Sequence, residues 1–249
     1  MIKTPIVMLC LSLCLSAQSL RKIGVIDLPG PKGQRFDYLT MDDEDHYLLS
    51  AHLGPGIMYV IDVRTNKLVK AVPGVPGITG LEYVPGLHKV YTSNWGEEKI
   101  GVVDLHQMAV IKRLPSAAKP NGGTYAAPFL KVYVADTLGK ALAVVNVDKD
   151  EIIKTLTFNS ETGMPQYDSV ARKVYVNLRS TNEIAEVDPA NDTVVGAIQL
   201  RFASTTMVWP SIPSATAHFF YAEPIEPSRS SRSTRIARSR ACRYRKAPT

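Results

Sequence analysis

The stretch KVYVADTLGKALAVVNVDKDEIIKTL, residues 131–156, decides the fold of this chain. Its first run, 131–135, is β-branched and aromatic, which suits a pleated and half-buried surface. A hairpin loop follows at 136–140, then an apolar strand at 141–147 and a more polar outer strand at 151–156. The short apolar stretch 123–126 ahead of it adds a fourth strand. The unit is therefore a predicted sheet of four short strands.

This unit recurs with a constant period of ~42 residues, which lies in the range of repeat architectures. An apolar-Tyr pair ends at Tyr91, Tyr133 and Tyr175, and a hydrophobic-Asp/Asn pair ends at Asp62, Asp104, Asn146 and Asp188. Pairing Tyr47 with Asp62 in the first copy predicts a hairpin that is two residues longer than the others. Four strands per repeat, with no amphipathic helix between them, predict a β-propeller blade. The fold class is all-β, with about four blades present in this chain.

The repeats and the chain ends divide the sequence into predicted segments. Residues 1–17 are typical of a secretory signal peptide, because a charged Lys3 precedes the apolar run 6–15 and small residues follow it. The predicted blades span residues 36–77, 78–122, 123–165 and 166–200, with 21–28 as a strand that closes the last blade of the ring. Residues 201–227 are interpreted as a degenerate half-blade and 228–249 as a disordered basic tail.

The repeated runs resemble a known family. Val90-Tyr91-Thr92-Ser93-Asn94, Val132-Tyr133-Val134-Ala135-Asp136 and Val174-Tyr175-Val176-Asn177 are similar to the YVTN β-propeller repeat, over residues 20–200. The best match is the YncE-like group of secreted bacterial propellers. The resemblance implies a radial array, usually of seven blades, in the periplasm or outside the cell. It does not imply one activity, because relatives include surface-layer proteins, lactonase-like enzymes and propeller domains of redox enzymes.

The net positive charge of the chain comes entirely from its C-terminal part, residues 201–249. The whole sequence has 29 Lys and Arg against 23 Asp and Glu, a net charge of +6. Residues 201–249 hold nine basic and two acidic residues, which leaves a net charge of −1 on residues 1–200. A shifted reading frame or truncation after about residue 200 would explain this loss of periodicity. The alternative is a native tail that binds nucleic acid or an anionic membrane.

Propeller sites usually lie at one mouth of the central channel, where the hairpins between the second and third strands meet the links between blades. The polar and aromatic candidates for ligand binding there are Arg35, His52, Asn94, Trp95, Asn121, Asp136 and Arg179. An exposed Trp95 could stack on a flat or sugar-like ligand, or pack against its neighbouring blade. For Arg35 and Arg179 the alternative is a solvated surface charge.

The sequence favours neither catalysis nor a metal centre. It contains no Gly-x-Ser-x-Gly motif, no Gly-rich phosphate loop and no Cys/His spacing typical of a metal site. The acidic run 42–45 lacks the ligand spacing of a calcium loop, so we interpret it as a solvated turn. The repeated Asp residues recur at strand ends, which favours a structural role in turns. We therefore expect no catalytic residues, no metal and no cofactor.

Three functional hypotheses remain open. The first is a non-catalytic binding or scaffold propeller in the cell envelope, periplasmic or extracellular, whose ligand is a small molecule, a glycan or an envelope protein. The second is a lactonase- or lyase-like enzyme with its site at the channel mouth. The third is nucleic-acid binding through the basic tail, which would weaken steeply with salt. No transmembrane helix is expected once the signal peptide is removed.

Overall fold

The computed structural model describes residues 21–116 and 118–200, and these form four antiparallel sheets of four strands each. In each sheet the strands are hydrogen-bonded in chain order. Blade one contains β1 (Phe36–Asp42), β2 (Tyr47–His52), β3 (Ile57–Asp62) and β4 (Lys67–Pro73); blade two contains β5 (Ile78–Val84), β6 (Lys89–Asn94), β7 (Lys99–Asp104) and β8 (Ala109–Pro115). Blade three contains β9 (Pro120–Ala126), β10 (Lys131–Asp136), β11 (Ala141–Asn146) and β12 (Glu151–Thr157); blade four contains β13 (Thr162–Asp168), β14 (Lys173–Leu178), β15 (Glu183–Asp188) and β16 (Thr193–Gln199).

The positions of the strands repeat with the period found in the sequence. The first strands of the four blades begin at Phe36, Ile78, Pro120 and Thr162, so that each blade starts one full repeat after the last. Blades three and four thus begin a few residues before the predicted boundaries at 123 and 166, because their first strands open on Pro120 and on Thr162. A proline is tolerated at the first position of a strand, where no N–H has to be donated to the ladder.

The longer first hairpin predicted from Tyr47 is wrong. Tyr47 pairs with Asp62 across blade one, and the residue that pairs with Asp104 in blade two is Lys89. The blade-one residue that corresponds to Tyr91 is therefore Leu49. All four hairpins between the second and third strands have loops of the same length. An early tyrosine, rather than an insertion, caused the error.

The sheets are arranged radially, as the blades of a β-propeller. The first strands of adjacent blades, β1, β5, β9 and β13, lie next to one another, whereas the outermost strands β4 and β8 barely meet. The outermost strands are also largely exposed, as their alternation with polar residues predicts. The prediction of an all-β propeller with four four-stranded blades is confirmed. The predicted total of seven blades stays a prediction.

The hydrophobic core lies between blades rather than within one central body. Three clusters of buried side chains fill the junctions between blades one and two, two and three, and three and four. Leu49 and Val103 belong to the first cluster, Tyr91 and Val145 to the second, and Tyr133 and Val187 to the third. Each junction therefore depends on both of its blades, as in other repeat arrays.

At two of these junctions a polar contact also joins the two blades, and we call this contact the interblade clasp. In blade two, the Nζ of Lys89 lies 2.7 Å from Oδ2 of Asp150 in blade three, and the Tyr91 hydroxyl donates to Oδ1 of the same carboxylate. Lys131 and Tyr133 of blade three hold Asp192 of blade four in the same way, one repeat further along the chain. The clasp was not predicted from the sequence.

The repeated Asp and Asn residues at the ends of the third strands have the structural role predicted for them. Oδ1 of Asp62 accepts the N–H groups of Arg64 and Thr65, and Oδ1 of Asp104 accepts that of Gln107. Asn146 makes the corresponding bond to the Lys149 N–H at 3.0 Å. These side chains stabilise the turn to the outermost strand by mimicking a backbone acceptor.

The two ends of the described region differ from its interior. Residues 21–35 contain no strand, and the predicted partner of the closing strand 21–28 lies outside the described residues, as do the signal peptide, the half-blade and the basic tail. In blade four, Ile198 is 42% exposed, whereas the corresponding Leu114 and Leu156 are 4% and 9% exposed. Within 21–116 and 118–200, no helix is long and apolar enough to cross a membrane.

Candidate functional site

A cleft of about 710 Å³ lies where the first strands of blades one to three begin. It is lined by Arg35, Asp37, Tyr38, Leu39, Leu53, Thr79, Trp95 and Asn121. Three of the seven residues predicted from the sequence, Arg35, Trp95 and Asn121, therefore meet around one cavity. We call this cavity the mouth cleft.

The mouth cleft is built largely from two positions of the repeat. Asp37, Thr79 and Asn121 are the second residues of β1, β5 and β9, so they are equivalent positions of successive blades. Leu53 and Trp95 are both the first loop residue after the second strand of their blade. The radial arrangement brings equivalent positions of neighbouring blades to the same end of the inner strands. The polar groups thus converge without any sequence proximity.

Trp95 lines the mouth cleft and also contacts the links that flank blade two. Its backbone N–H donates to the Gly77 carbonyl at 3.1 Å, which fixes the loop against the link before β5. The Lys119 Nζ lies 5.7 Å from the centre of the ring and also donates to the Trp95 carbonyl at 3.1 Å. A cation at this distance from an indole face is attracted by the ring quadrupole. The indole is thus held in place while it contributes to the cleft wall.

The charges of the cleft are nearly balanced. Arg35 donates to Asp37 at 2.8 Å, and the arginine side chain is 71% exposed while that of the aspartate is 16% exposed. Burial raises the pKa of Asp37, and the charge and hydrogen bond of Arg35 oppose that rise. Burial, with a smaller contribution from the Asp37 charge, raises the pKa of Tyr38 to about 12. Tyr38 is therefore a neutral hydroxyl over the whole physiological range.

A second cavity of about 210 Å³ adjoins the mouth cleft and shares Tyr38 and Leu39 with it. It lies between the inner strands of all four blades, with Glu82, Thr124 and Gln166 in its wall. Glu82 accepts the N–H of Tyr125 at 2.6 Å, and Thr124 accepts that of Tyr167 at 3.0 Å, so these side chains also connect adjacent inner strands. Burial raises the pKa of Glu82 to about 8. This carboxyl therefore takes up a proton at a higher pH than an exposed glutamate does.

Three of the predicted ligand-binding residues are buried and do not line the mouth cleft. His52, Asn94 and Asp136 are the last residues of β2, β6 and β10, and they are 3%, 0% and 2% exposed. The His52 ring stacks on Phe36 at 3.9 Å and its Nδ1 lies 3.1 Å from the Tyr59 hydroxyl. The Asn94 amide donates to Glu97 at 2.7 Å. These contacts tie each side chain to its surroundings.

Asp136 accepts more hydrogen bonds than the other two, three of them from the link between blades two and three and one from its own hairpin loop. Its carboxylate accepts the Ser116 hydroxyl and the N–H groups of Ala118, Lys119 and Gly139, at 2.5 to 2.8 Å. Burial raises the pKa of Asp136, but the hydrogen bonds together outweigh it and hold the pKa below its ordinary value. Its acceptor capacity is taken up by the link between blades two and three.

The remaining predicted residue, Arg179, lies in blade four. It is the first residue after β14, so it corresponds to Trp95, but it is not part of the mouth cleft. Its guanidinium is 3.9 Å from the Glu161 carboxylate, and its side chain is 26% exposed. Arg179 is therefore a half-buried, paired charge and not the freely solvated surface charge considered as the alternative.

The acidic run 42–45 is solvated only in part, because Asp43 and Glu44 are exposed whereas Asp42 is buried. Asp42 is 0% exposed, and Glu44 accepts the Tyr83 hydroxyl and the Gly86 N–H from blade two. Asp45 lies 3.1 Å from the Nδ1 of His88. The run packs against blade two because the turn of blade one meets the corresponding turn of the next blade, a contact that only the tertiary structure reveals.

Sequence reasoning missed five side chains of the mouth cleft: Asp37, Tyr38, Leu39, Leu53 and Thr79. Asp37, Tyr38 and Leu39 lie within β1, outside the links and hairpins from which the candidates were chosen. Leu53 and Thr79 lie in such a hairpin and link but were not selected. A usable signal was nevertheless present, since stepping back one repeat from Asn121 gives Thr79 and then Asp37, and the same step from Trp95 gives Leu53.

Comparison with known proteins supports the fold and no more. No family model and no curated protein matches the chain. Among solved structures, the Kuenenia stuttgartiensis hydrazine synthase is similar over 73% of this chain and 56% of its own, with a TM-score of 0.65 and 17% identity. The structure of U3-55K is similar over 72% of this chain and 56% of its own, with a TM-score of 0.62 and 9% identity. The chain thus spans a little over half the length of these structures, and the likeness defines a β-propeller.

Proposed function

We propose that this chain is a non-catalytic binding propeller of the cell envelope that holds a glycan-like ligand in the mouth cleft. The observation that carries the proposal is the convergence of Trp95, Asn121 and the Arg35–Asp37 pair around one cavity of about 710 Å³. A rigid aromatic face beside amide and charged groups suits the alternating apolar faces and hydroxyls of a sugar ring.

The chemistry of the wall favours binding over turnover. Of the residues described, those lining the mouth cleft offer aspartate, tyrosine and threonine oxygens but no histidine or thiol. His52, which an enzyme mechanism would have used as a base, is buried beneath Phe36. Asp37 is already engaged by Arg35. Orienting groups are therefore in place without a base-and-nucleophile pair.

The cleft is tested by the fluorescence of Trp95 during titration with oligosaccharides chosen from a glycan array. The second tryptophan, Trp209, is first replaced by phenylalanine so that Trp95 alone reports. We expect a saturable change, and at least a tenfold loss of affinity in Trp95→Ala when binding is followed by calorimetry. Stacking on an aromatic ring contributes about 0.5–1.5 kcal/mol beyond the apolar area that it buries, and a tenfold change is about 1.4 kcal/mol.

The matched control is Leu138→Ala, which removes an exposed side chain from the corresponding hairpin of blade three. It should bind as the unmodified protein does. Absence of any glycan that binds, or equal affinities for the Trp95 and Leu138 variants, would contradict a saccharide site in the mouth cleft.

We further propose that the chain is a secreted member of the YVTN-repeat propellers, similar to the YncE-like group. The support is the position of its Val-Tyr runs, which occupy the same register of β6, β10 and β14. Expression in a bacterium should give a periplasmic protein cleaved between residues 16 and 19, as read by N-terminal sequencing. A cytoplasmic product that retains Met1 would contradict secretion.

A further inference from the structure

Three metal-ligating side chains meet at the junction between blades one and two, at the end of the inner strands opposite the mouth cleft. Asp42 ends β1, Asp45 lies in the turn to β2, and His88 lies in the turn between β5 and β6. One ligand atom from each residue lies within 4.8 Å of the other two. No local motif indicates this cluster, because a whole repeat separates His88 from the two aspartates.

The same three positions are occupied differently at the other junctions. Between blades two and three they are Val84, Leu87 and Leu130, all apolar. Between blades three and four they are Ala126, Phe129 and Arg172, and the guanidinium lies 5.2 Å from the centre of the Phe129 ring. Only the first of these junctions places two carboxylates and an imidazole there.

Two carboxylates at these positions, in place of apolar residues, carry a desolvation cost unless a cation binds between them. Asp42 is 0% exposed, and its Oδ1 accepts the N–H groups of Glu44 and Asp45. Its Oδ2 is buried and has no hydrogen-bond partner. The Tyr83 hydroxyl also approaches this carboxylate, but its single proton is donated to Glu44. A buried carboxylate oxygen without a donor carries a desolvation penalty that a bound cation would remove.

We propose that Asp42, Asp45 and His88 form a binding site for a divalent cation of the zinc type. Carboxylate oxygens together with an imidazole nitrogen suit zinc better than the all-oxygen sites of calcium and magnesium. Three protein ligands leave a fourth position for water. The side chains of Asp45 and His88 are 42% and 25% exposed, so an ion can enter from solvent and draw the ligand atoms together.

The ion connects two blades. Asp42 and Asp45 belong to blade one and His88 to blade two, so binding requires the folded junction. A ligand that binds only the folded state raises stability in proportion to the logarithm of its concentration over its Kd. The ion would therefore stabilise the junction between blades one and two, at the end of the inner strands opposite the mouth cleft, and it shares no residue with that cleft.

The test is calorimetric titration of the full chain with zinc chloride after its three cysteines have been alkylated. We expect one zinc ion per chain and a rise in melting temperature. Asp45→Asn and His88→Asn should each lower the affinity at least tenfold. Asparagine suits position 88 because His88 has a positive φ of 48°, a conformation that asparagine tolerates.

Asp43→Asn is the matched control. It removes a carboxylate from the same turn that supplies no atom to the cluster, and it should leave both affinity and melting shift unchanged. The proposal is overturned if the unmodified chain binds no zinc, or if the Asp45 and His88 variants bind it as tightly as the Asp43 variant. Circular dichroism of each variant without metal establishes that the comparison is between folded proteins.

Discussion

Replacing Asp150 with alanine should lower the free energy of unfolding by about 3–5 kcal/mol, the usual cost of removing one partner of a buried ion pair. Asp150 is the acceptor of the interblade clasp, so its removal takes the counter-charge from Lys89 and leaves the Tyr91 hydroxyl only the Val147 carbonyl at 3.5 Å. The side chains of Lys89 and Asp150 are only 18% and 13% exposed, so water replaces the lost contacts poorly. The ammonium group of Lys89 would be left partly buried without a counter-charge.

Urea unfolding followed by circular dichroism measures this effect. The matched control is Asn66→Ala, which removes an exposed side chain at the same repeat position of blade one, where φ is 55° against 52° at Asp150. Alanine at this positive φ should cost about 1–2 kcal/mol in either variant, so only the excess in Asp150→Ala reports the clasp. Asp192→Ala should behave like Asp150→Ala, because it breaks the same clasp between blades three and four. If Asp150→Ala costs no more than Asn66→Ala, the clasp contributes nothing to the junction.

The junction between blades one and two performs the same task with apolar side chains. At the positions of Lys89, Tyr91 and Asp150 it has Tyr47, Leu49 and Met108, which pack together in one hydrophobic cluster. A polar clasp and an apolar contact are thus interchangeable at this position of the repeat. The sequence could not show this, because which residues touch across a junction depends on how two blades pack.

The strands, by contrast, could be predicted from the sequence almost throughout. Alternation within each strand and a constant step between blades are local properties that the chain displays directly. The one error in the hairpins arose from Tyr47, which is a tyrosine at a position that holds Lys89 in the next blade. The hydrogen-bonded partner Asp62, rather than the residue type, defines the register.

The candidate site could be predicted only in part, and the reason is the direction of the side chains. His52, Asn94 and Asp136 occupy one repeat position, and blade four has the buried Leu178 there. An apolar residue at one copy of this position indicates that the position is buried, although His52, Asn94 and Asp136 are polar. The next position lines the mouth cleft in blades one and two, through Leu53 and Trp95, whereas Thr137 and Arg179 hold it in blades three and four and do not line the cleft. Which copies reach the cleft depends on the packing of the blades, which the sequence does not display.

Asp136→Ala should lower the free energy of unfolding by about 3–4 kcal/mol, because it leaves one hydroxyl and three backbone N–H groups without their charged acceptor. Urea unfolding measures it, with Asp104→Ala as the control, since Asp104 accepts one backbone N–H in an exposed turn. We expect about 1 kcal/mol for the control. Equal losses in the two variants would contradict a special role of Asp136.

The pH dependence of the same stability provides an independent test. Because the hydrogen bonds hold the pKa of Asp136 below its ordinary value of 3.8, the folded protein releases this proton more readily than the unfolded chain does. The stabilisation is fully present above the ordinary pKa and is lost as the pH falls through the lower pKa of the folded state. The stability of the unmodified protein should therefore decline more steeply below about pH 4 than that of Asp136→Asn. Parallel declines would mean that the carboxylate's hydrogen bonds do not favour its ionised form.

Glycan affinity at neutral pH should be the same in the unmodified protein and in Asp136→Asn, because Asp136 supports the link between blades and does not line the mouth cleft.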